Sequence, residues 1–131
     1  GMVRASFTTA NSALAHNWIS ALVRAGDEWF VGTYGGGVLR VDDSGRWSRF
    51  ADMPRDTEVN PGAMLATERA VYAGTLARGI LIHDRATGRW RAQTQGLPSA
   101  NVTALAARGG FIYIGTDNGL VRAPEQILIA Q

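Results

Sequence analysis

The 131-residue chain contains no cysteine. That excludes a disulfide framework, a thiolate metal site and a thiol nucleophile, and it leaves the redox compartment unmarked. Lysine is absent as well: all 13 basic residues are arginine, set against 11 acidic ones. The net charge is only +2 and the arginines are scattered, without a basic run. A phosphate-tracking surface clusters its charge, so no nucleic-acid partner is expected despite a pI of 9.7. No apolar stretch approaches the ~20 residues of a helical membrane span, so none is expected. No secretory leader is evident, and the opening Gly1-Met2 reads as an added start that could have replaced one. Charged residues make up only 18% of the chain, whereas glycine is plentiful at 16. Many turns and few exposed helices are the expected result.

What is present is repetition. Gly-Thr occurs at Gly32-Thr33, Gly74-Thr75 and Gly115-Thr116, and an aromatic residue stands two positions before each pair: Phe30, Tyr72 and Tyr113. A turn and then Gly plus an aliphatic follow each time: Gly37-Val38, Gly79-Ile80 and Gly119-Leu120. Upstream, Ile19-Ser-Ala-Leu22 matches Val102-Thr-Ala-Leu105, with Pro61-Gly-Ala-Met64 as a worn middle copy. Downstream, Asp43-Ser-Gly-Arg-Trp47 matches Arg85-Ala-Thr-Gly-Arg-Trp90.

Each unit reads as four short strands: A near Ile19–Arg24, B near Trp29–Thr33, C near Val38–Asp42 and D near Trp47–Phe50. Gly/Asp/Ser turn signals separate them. Four short strands in about 42 residues, repeated, indicate a β-propeller blade. The expected fold is therefore all-β, a single domain of three four-stranded propeller blades (about 17–58, 59–100 and 101–131). Gly-Thr closes strand B: glycine permits a close approach or an unusual φ, and the threonine hydroxyl can bond nearby backbone.

Several of these segments resemble the two-component regulator propeller repeat family. They are Gly96-Leu-Pro98 running into Asn101-Val-Thr-Ala-Leu105, then Ile112-Tyr-Ile-Gly-Thr116, then Asn118-Gly-Leu120. Phe7-Thr-Thr-Ala-Asn-Ser-Ala-Leu14 likewise resembles Trp90-Arg-Ala-Gln-Thr-Gln-Gly-Leu97. The resemblance covers roughly residues 7 to 122. It implies bacterial sensor domains outside the cytoplasm that feed signals to kinases. It departs from that pattern in carrying no kinase or membrane segment, and in having three repeats.

Propellers commonly have four to eight blades, and three alone would leave two apolar faces open. Two chains give six blades, so a head-to-tail homodimer is the expected closed form. Residues 3–9 align with a D strand that has no A, B and C strands before it. They are expected to complete blade three across the seam. Ile127-Leu-Ile-Ala130 is the rival for that outer strand.

In such a blade the B–C turns and D–A connections share one face. That face places Tyr34, Arg78, Asp117 and Asn118 with His16, Asn17, Trp18, Asn60 and Asn101, and the ligand-binding candidates are Tyr34, Arg78, Asp117, Asn118, His16 and Trp18. Asp-Asn-Gly is also a preferred turn sequence in its own right. Trp47 and Trp90 recur at one repeat position, which core packing between blades explains more simply than sugar stacking. His83-Asp84 is a possible acid–base pair, but the histidine is not a repeat feature. Asp52-Met-Pro-Arg-Asp56-Thr-Glu58 lacks the alternation and the glycine of a calcium loop, so no metal and no cofactor is expected. Neither a Gly-x-Ser-x-Gly elbow nor a His-Glu-x-x-His helix occurs. The expected function is a non-catalytic binding, sensing or interaction module for an unidentified small molecule, glycan or protein. The alternatives are a carbohydrate-binding, lectin-like propeller and a propeller-based lyase or hydrolase.

Overall fold

The computed structural model describes residues 5–14 and 16–130. Among these residues eleven strands form three antiparallel sheets in sequence order. The first sheet contains β1 (Ile19–Ala25), β2 (Glu28–Thr33), β3 (Gly37–Asp42) and β4 (Trp47–Arg49). The second contains β5 (Val59–Ala66), β6 (Ala70–Thr75), β7 (Ile80–Asp84) and β8 (Arg89–Gln93). The third has three strands, β9 (Val102–Arg108), β10 (Phe111–Thr116) and β11 (Gly119–Pro124), and is followed by a short helix, α1 (Glu125–Ala130). The first strands of successive sheets pack together, β1 on β5 and β5 on β9, as in adjoining propeller blades. The fold is thus nearly all-β, with four-stranded blades one and two and a three-stranded blade three.

The core lies between the sheets rather than within any one of them. Every sheet has a trailing face toward the next blade and a leading face toward the one before. Phe30 and Val38 of blade one meet Val71, Ala73, Leu81 and Trp90 of blade two. Tyr72, Ile80 and Ile82 of blade two meet Ile112 and Ile114 of blade three. Alternate residues of each strand thus serve two different seams, which explains why strands of the middle blade read as apolar on both sides.

Gly32 and Gly74 sit where the next blade presses closest. A Cβ on Gly32 would stand 2.9 Å from Val59 Cγ1, and one on Gly74 would stand 2.8 Å from Val102 Cγ1. Neither has a positive φ, so close approach alone requires glycine here. The threonines act as the sequence suggests. Thr33, Thr75 and Thr116 each donate Oγ1–H to the carbonyl of Gly37, Gly79 and Gly119, at 2.9, 2.7 and 2.9 Å. Each Oγ1 also accepts a turn N–H, from Gly36, Arg78 and Asn118.

Three local expectations are corrected. Val59, not Pro61, is the counterpart of Ile19, because Ile19, Val59 and Val102 all pair with the threonine. Asn60–Ala63, two residues longer than the corresponding stretch of blade one, form a bulge, with Gly62 at φ +71°. Ile127–Ala130 is helix, not strand. The C–D hairpins turn on Asp42 and Asp84, whose Oδ1 atoms accept N–H bonds from Ser44 and Ala86. The third blade has Pro124 at that register position, and among the described residues no C–D hairpin forms there. Helix α1 instead buries Leu128 in the second seam, while the Glu125 carboxylate accepts bonds from Tyr72 Oη and Thr67 Oγ1, both 2.7 Å. Trp47 and Trp90 share a repeat position but not an environment: Trp90 is 7% exposed, whereas Trp47 is half-buried on a face with no preceding blade. Residues 5–8 carry no regular secondary structure in the single chain, and residues 3 and 4 lie outside the described ones; the strand expected over 3–9 is one that pairs with a second copy.

Candidate functional site

One end of the three-blade fan gathers the polar candidates. After each Gly-Thr the chain donates a backbone N–H to the residue just ahead of strand A. The bonds are Tyr34 to Trp18, Leu76 to Glu58 and Asp117 to Asn101, at 3.0, 3.0 and 3.3 Å. The same turns reach forward to the next blade, Gly37 N–H to the Thr57 carbonyl at 2.9 Å and Gly79 N–H to the Ala100 carbonyl at 2.8 Å. The B–C turns and D–A connections therefore form one continuous rim.

The sequence candidates fall into three groups along it. On blade one Trp18 and Tyr34 lie ring against ring, 4.6 Å between centroids at 37°. The Trp18 N–H donates to His16 Nδ1 at 3.1 Å, and the His16 ring lies against Gly35, where a Cβ would come within 3.1 Å of it. Trp18 is 54% exposed, so the pair offers water a broad aromatic surface.

Over the second seam the buried Asn60 donates from Nδ2 to Asn101 Oδ1 at 2.9 Å and to the Val102 carbonyl at 2.6 Å. Asn101 Nδ2 in turn donates to Asp117 at 3.3 Å. Hydrogen bonds from Ser99 and then Asn101 hold the Asp117 carboxyl below the usual aspartate range. Asn118 Nδ2 donates to the Pro98 carbonyl at 3.4 Å. Between these groups Arg78 is exposed and donates to the Arg55 carbonyl at 2.8 Å. The rim thus brings Trp18, Tyr34 and His16 together and joins Asp117 to Asn101 and Asn60, with Arg78 apart from both.

Sequence reasoning passed over a pocket of about 450 Å³ beside the rim, lined in part by Arg49, Phe50, Met53, Arg55 and Asp56. The non-glycine Asp56 at φ 54° was its one local signal, and only structure reveals that. Asp52, in the same connection, accepts the Trp90 backbone N–H at 2.8 Å, which ties the connection to blade two. Among the described residues no group of three or more His, Asp or Glu side chains is arranged to hold a metal ion.

His83 lies far from the rim. It is buried among Phe30, Phe50 and Trp90, with ring centroids 5.2, 5.2 and 4.8 Å away, and its Nδ1 has no hydrogen-bond partner among the described residues. Burial lowers its pKa, and the Arg40 charge adds to the effect. Asp84 takes up the C–D turn rather than bonding His83, so the two do not form an acid–base pair.

No protein-family model and no curated protein matches the chain. Solved structures do. The computationally designed Ika8 protein aligns with a TM-score of 0.70 at 21% identity, over 92% of this chain and 37% of its own. The extracellular domain of BT4673 from B. thetaiotaomicron, described as a one-component system, aligns with a TM-score of 0.69 at 27% identity, over 90% of this chain and 17% of its own. That of BT3049 from the same organism, described as a hybrid two-component system, gives 0.67 at 20%, over 83% and 16%. This chain thus spans well under half the length of each. These neighbours agree with the resemblance to two-component regulator propeller repeats read from the sequence. Among the described residues no helix is long and apolar enough to cross a membrane.

Proposed function

We propose that this chain is a non-catalytic binding and sensing module, working outside the cytoplasm as half of a six-bladed propeller that a second copy completes. The observation that carries the reading is the pair of open seam faces. Ile19 and Leu22 on the leading face of blade one are 42% and 54% exposed, and Leu120 on the trailing face of blade three is 67% exposed. Of their counterparts at the two internal seams, Val59, Met64, Val102, Val38 and Ile80 are buried and Leu105 is half-buried. One chain therefore carries both halves of a seam that it already makes twice.

In a closed ring the polar rim surrounds the mouth of a central channel, and a ligand is read there by Tyr34, Arg78, Asp117, Asn118, His16 and Trp18. The extracellular sensor-system neighbours support the sensing role at this coarse level. A carbohydrate ligand is favoured by one feature, the exposed Trp18 ring beside Tyr34, since an aromatic face suits the apolar face of a sugar.

Two measurements test the proposal. Sedimentation at micromolar concentration should give a dimer, because a specific interface of ~1,000 Å² or more, apolar at its centre, is expected to hold. A compact monomer near 14 kDa would reject the ring, and blades from elsewhere would then cover the faces. A thermal-shift screen with soluble oligosaccharides and peptides should show stabilisation that Trp18→Ala or Arg78→Ala removes. Stabilisation unchanged by both would place the ligand elsewhere.

A further inference from the structure

We infer that two copies close the ring by exchanging their N-terminal strands, residues 5 and 6 of each chain pairing with the free edge of β11 in the other. The inference rests on the ring proposed above and specifies its seam.

The third blade lacks what the first two have. Strands β3 and β7 are covered on their outer edges by β4 and β8, whereas among the described residues β11 has no strand beyond it. Helix α1 does not substitute. It turns back to the second seam, where Leu128 is buried and the Leu128 carbonyl accepts a bond from Arg91. Among the described residues the outer edge of β11, Gly119–Pro124, is unpaired.

The N-terminal segment has the opposite deficiency. After strand β4, Phe50 lies across the next blade with its ring edge-on to Trp90, 5.4 Å between centroids at 77°. Phe7 lies edge-on to Trp47 in the same way, at 5.5 Å and 62°. A tight turn follows in both places, Met53 N–H to the Phe50 carbonyl and Asn11 N–H to the Thr8 carbonyl. The analogous turn after β8 is closed by Leu97 N–H to the Thr94 carbonyl. Leu97, which closes that turn, packs into the seam that follows; the connection ahead of blade one is three residues longer, and in it Leu14, three residues after the turn-closing Asn11, is buried. Residues 7–14 therefore lie on blade one as the connection that leaves an outer strand lies on the next blade. The outer strand itself would be the residues just before Phe7. Alignment of the sequence matches Phe7 to Trp90, whereas packing matches it to Phe50.

A segment that follows an outer strand and an edge that needs one occur on the same chain, but on opposite sides of it. Blades one and three each pack on blade two, with the segment on the outward face of blade one. A second copy supplies the edge, and two-fold symmetry makes the exchange reciprocal. The register follows from blade one. There Arg40 pairs with Ser48 and Leu39 with Arg49. Ser48 and Arg49 stand two and one positions before Phe50, so with Phe7 at the Phe50 position Arg122 of one copy faces Ala5 of the other, and Val121 faces Ser6. The rim gives the inference a further consequence. Gly37 and Gly79 donate to Thr57 and Ala100 of the following blade. The third member of that series, the Gly119 N–H, meets the Asn17 carbonyl of the second copy.

The absence of cysteine makes the test clean. The double variant Ala5→Cys, Arg122→Cys, oxidised at micromolar concentration, should run as a reducible covalent dimer, because directly paired strand positions bring Cα atoms within disulfide range. Each single variant should not, and both should keep the wild-type β-sheet circular dichroism. Removing residues 1–6 should weaken the dimer about tenfold or more, a factor that corresponds to ~1.4 kcal/mol. A dimer that neither cross-links nor responds to the truncation overturns the exchange and leaves the ring of apolar faces standing. A disulfide formed within one chain also overturns the exchange. A wild-type monomer overturns both.

Discussion

Gly74 lies directly beneath Val102: a Cβ added to it would stand 2.6 Å from the Val102 carbonyl oxygen. Gly115, at the same repeat position, has only Ala104 of its own sheet nearby, at 3.3 Å. Gly74→Ala should therefore destabilise an isolated chain by ~1–3 kcal/mol, the usual cost of forcing a methyl into packed backbone. Gly115→Ala should leave a monomer's urea midpoint nearly unchanged and weaken only the dimer. Equal destabilisation of both under monomeric conditions would contradict an open trailing face on blade three.

The two repeat-equivalent tryptophans should differ in the same sense. Trp90→Ala should cost ~3–5 kcal/mol, as large truncations in a core do. Trp47→Ala should cost clearly less in dilute protein, because its ring contacts Phe7 but has no preceding blade against it. Its cost should rise with protein concentration as the seam closes over it. Urea denaturation at two concentrations measures both.

Stability should fall as pH drops below the ordinary histidine range. The His83 pKa is lowered in the folded chain, first by burial and then by the Arg40 charge, with Arg85 acting the same way and Asp52 and Asp84 opposing. The unfolded chain thus binds the proton at a pH where the folded one does not. Stability is at its full value above about pH 6.5 and declines as pH falls toward the folded-state pKa. His83→Phe should flatten that part of the profile in a comparison of thermal midpoints across pH. An unaltered slope would assign the dependence to other groups.

Tyr72→Phe tests how the helix is held. The Tyr72 hydroxyl donates to Glu125, and burial together with that carboxylate raises its pKa far above the ordinary value. Losing a bond to a charged acceptor should cost ~1.5–3 kcal/mol. Amide exchange should quicken in α1 before it does in β10.

Much of this protein could be read from its sequence because the information is local. The Gly-Thr pairs, the aromatic residues two positions before them and the glycines after the turns specify strands and corners within a few residues, and repetition makes the pattern unmistakable. The rim could be named for the same reason, since B–C turns and D–A connections must share an end. Other features depended on what packs against a residue. Trp47 and Trp90 are indistinguishable by position, yet one is covered by a neighbouring blade and the other only in part. Ile127–Ala130 has β-branched residues that suit a strand, but Pro124 replaces the turn aspartate, and Leu128 and Glu125 find partners on blade two. Asn60 reads as a turn residue until the bulge carries it under Asn101. Strand sequence dictates alternation and corners, because those arise from neighbouring backbone and side-chain sterics. Seam burial, the helix and the Asn60–Asn101–Asp117 chain are fixed by contacts across about 40 residues of sequence, which only the tertiary structure brings together.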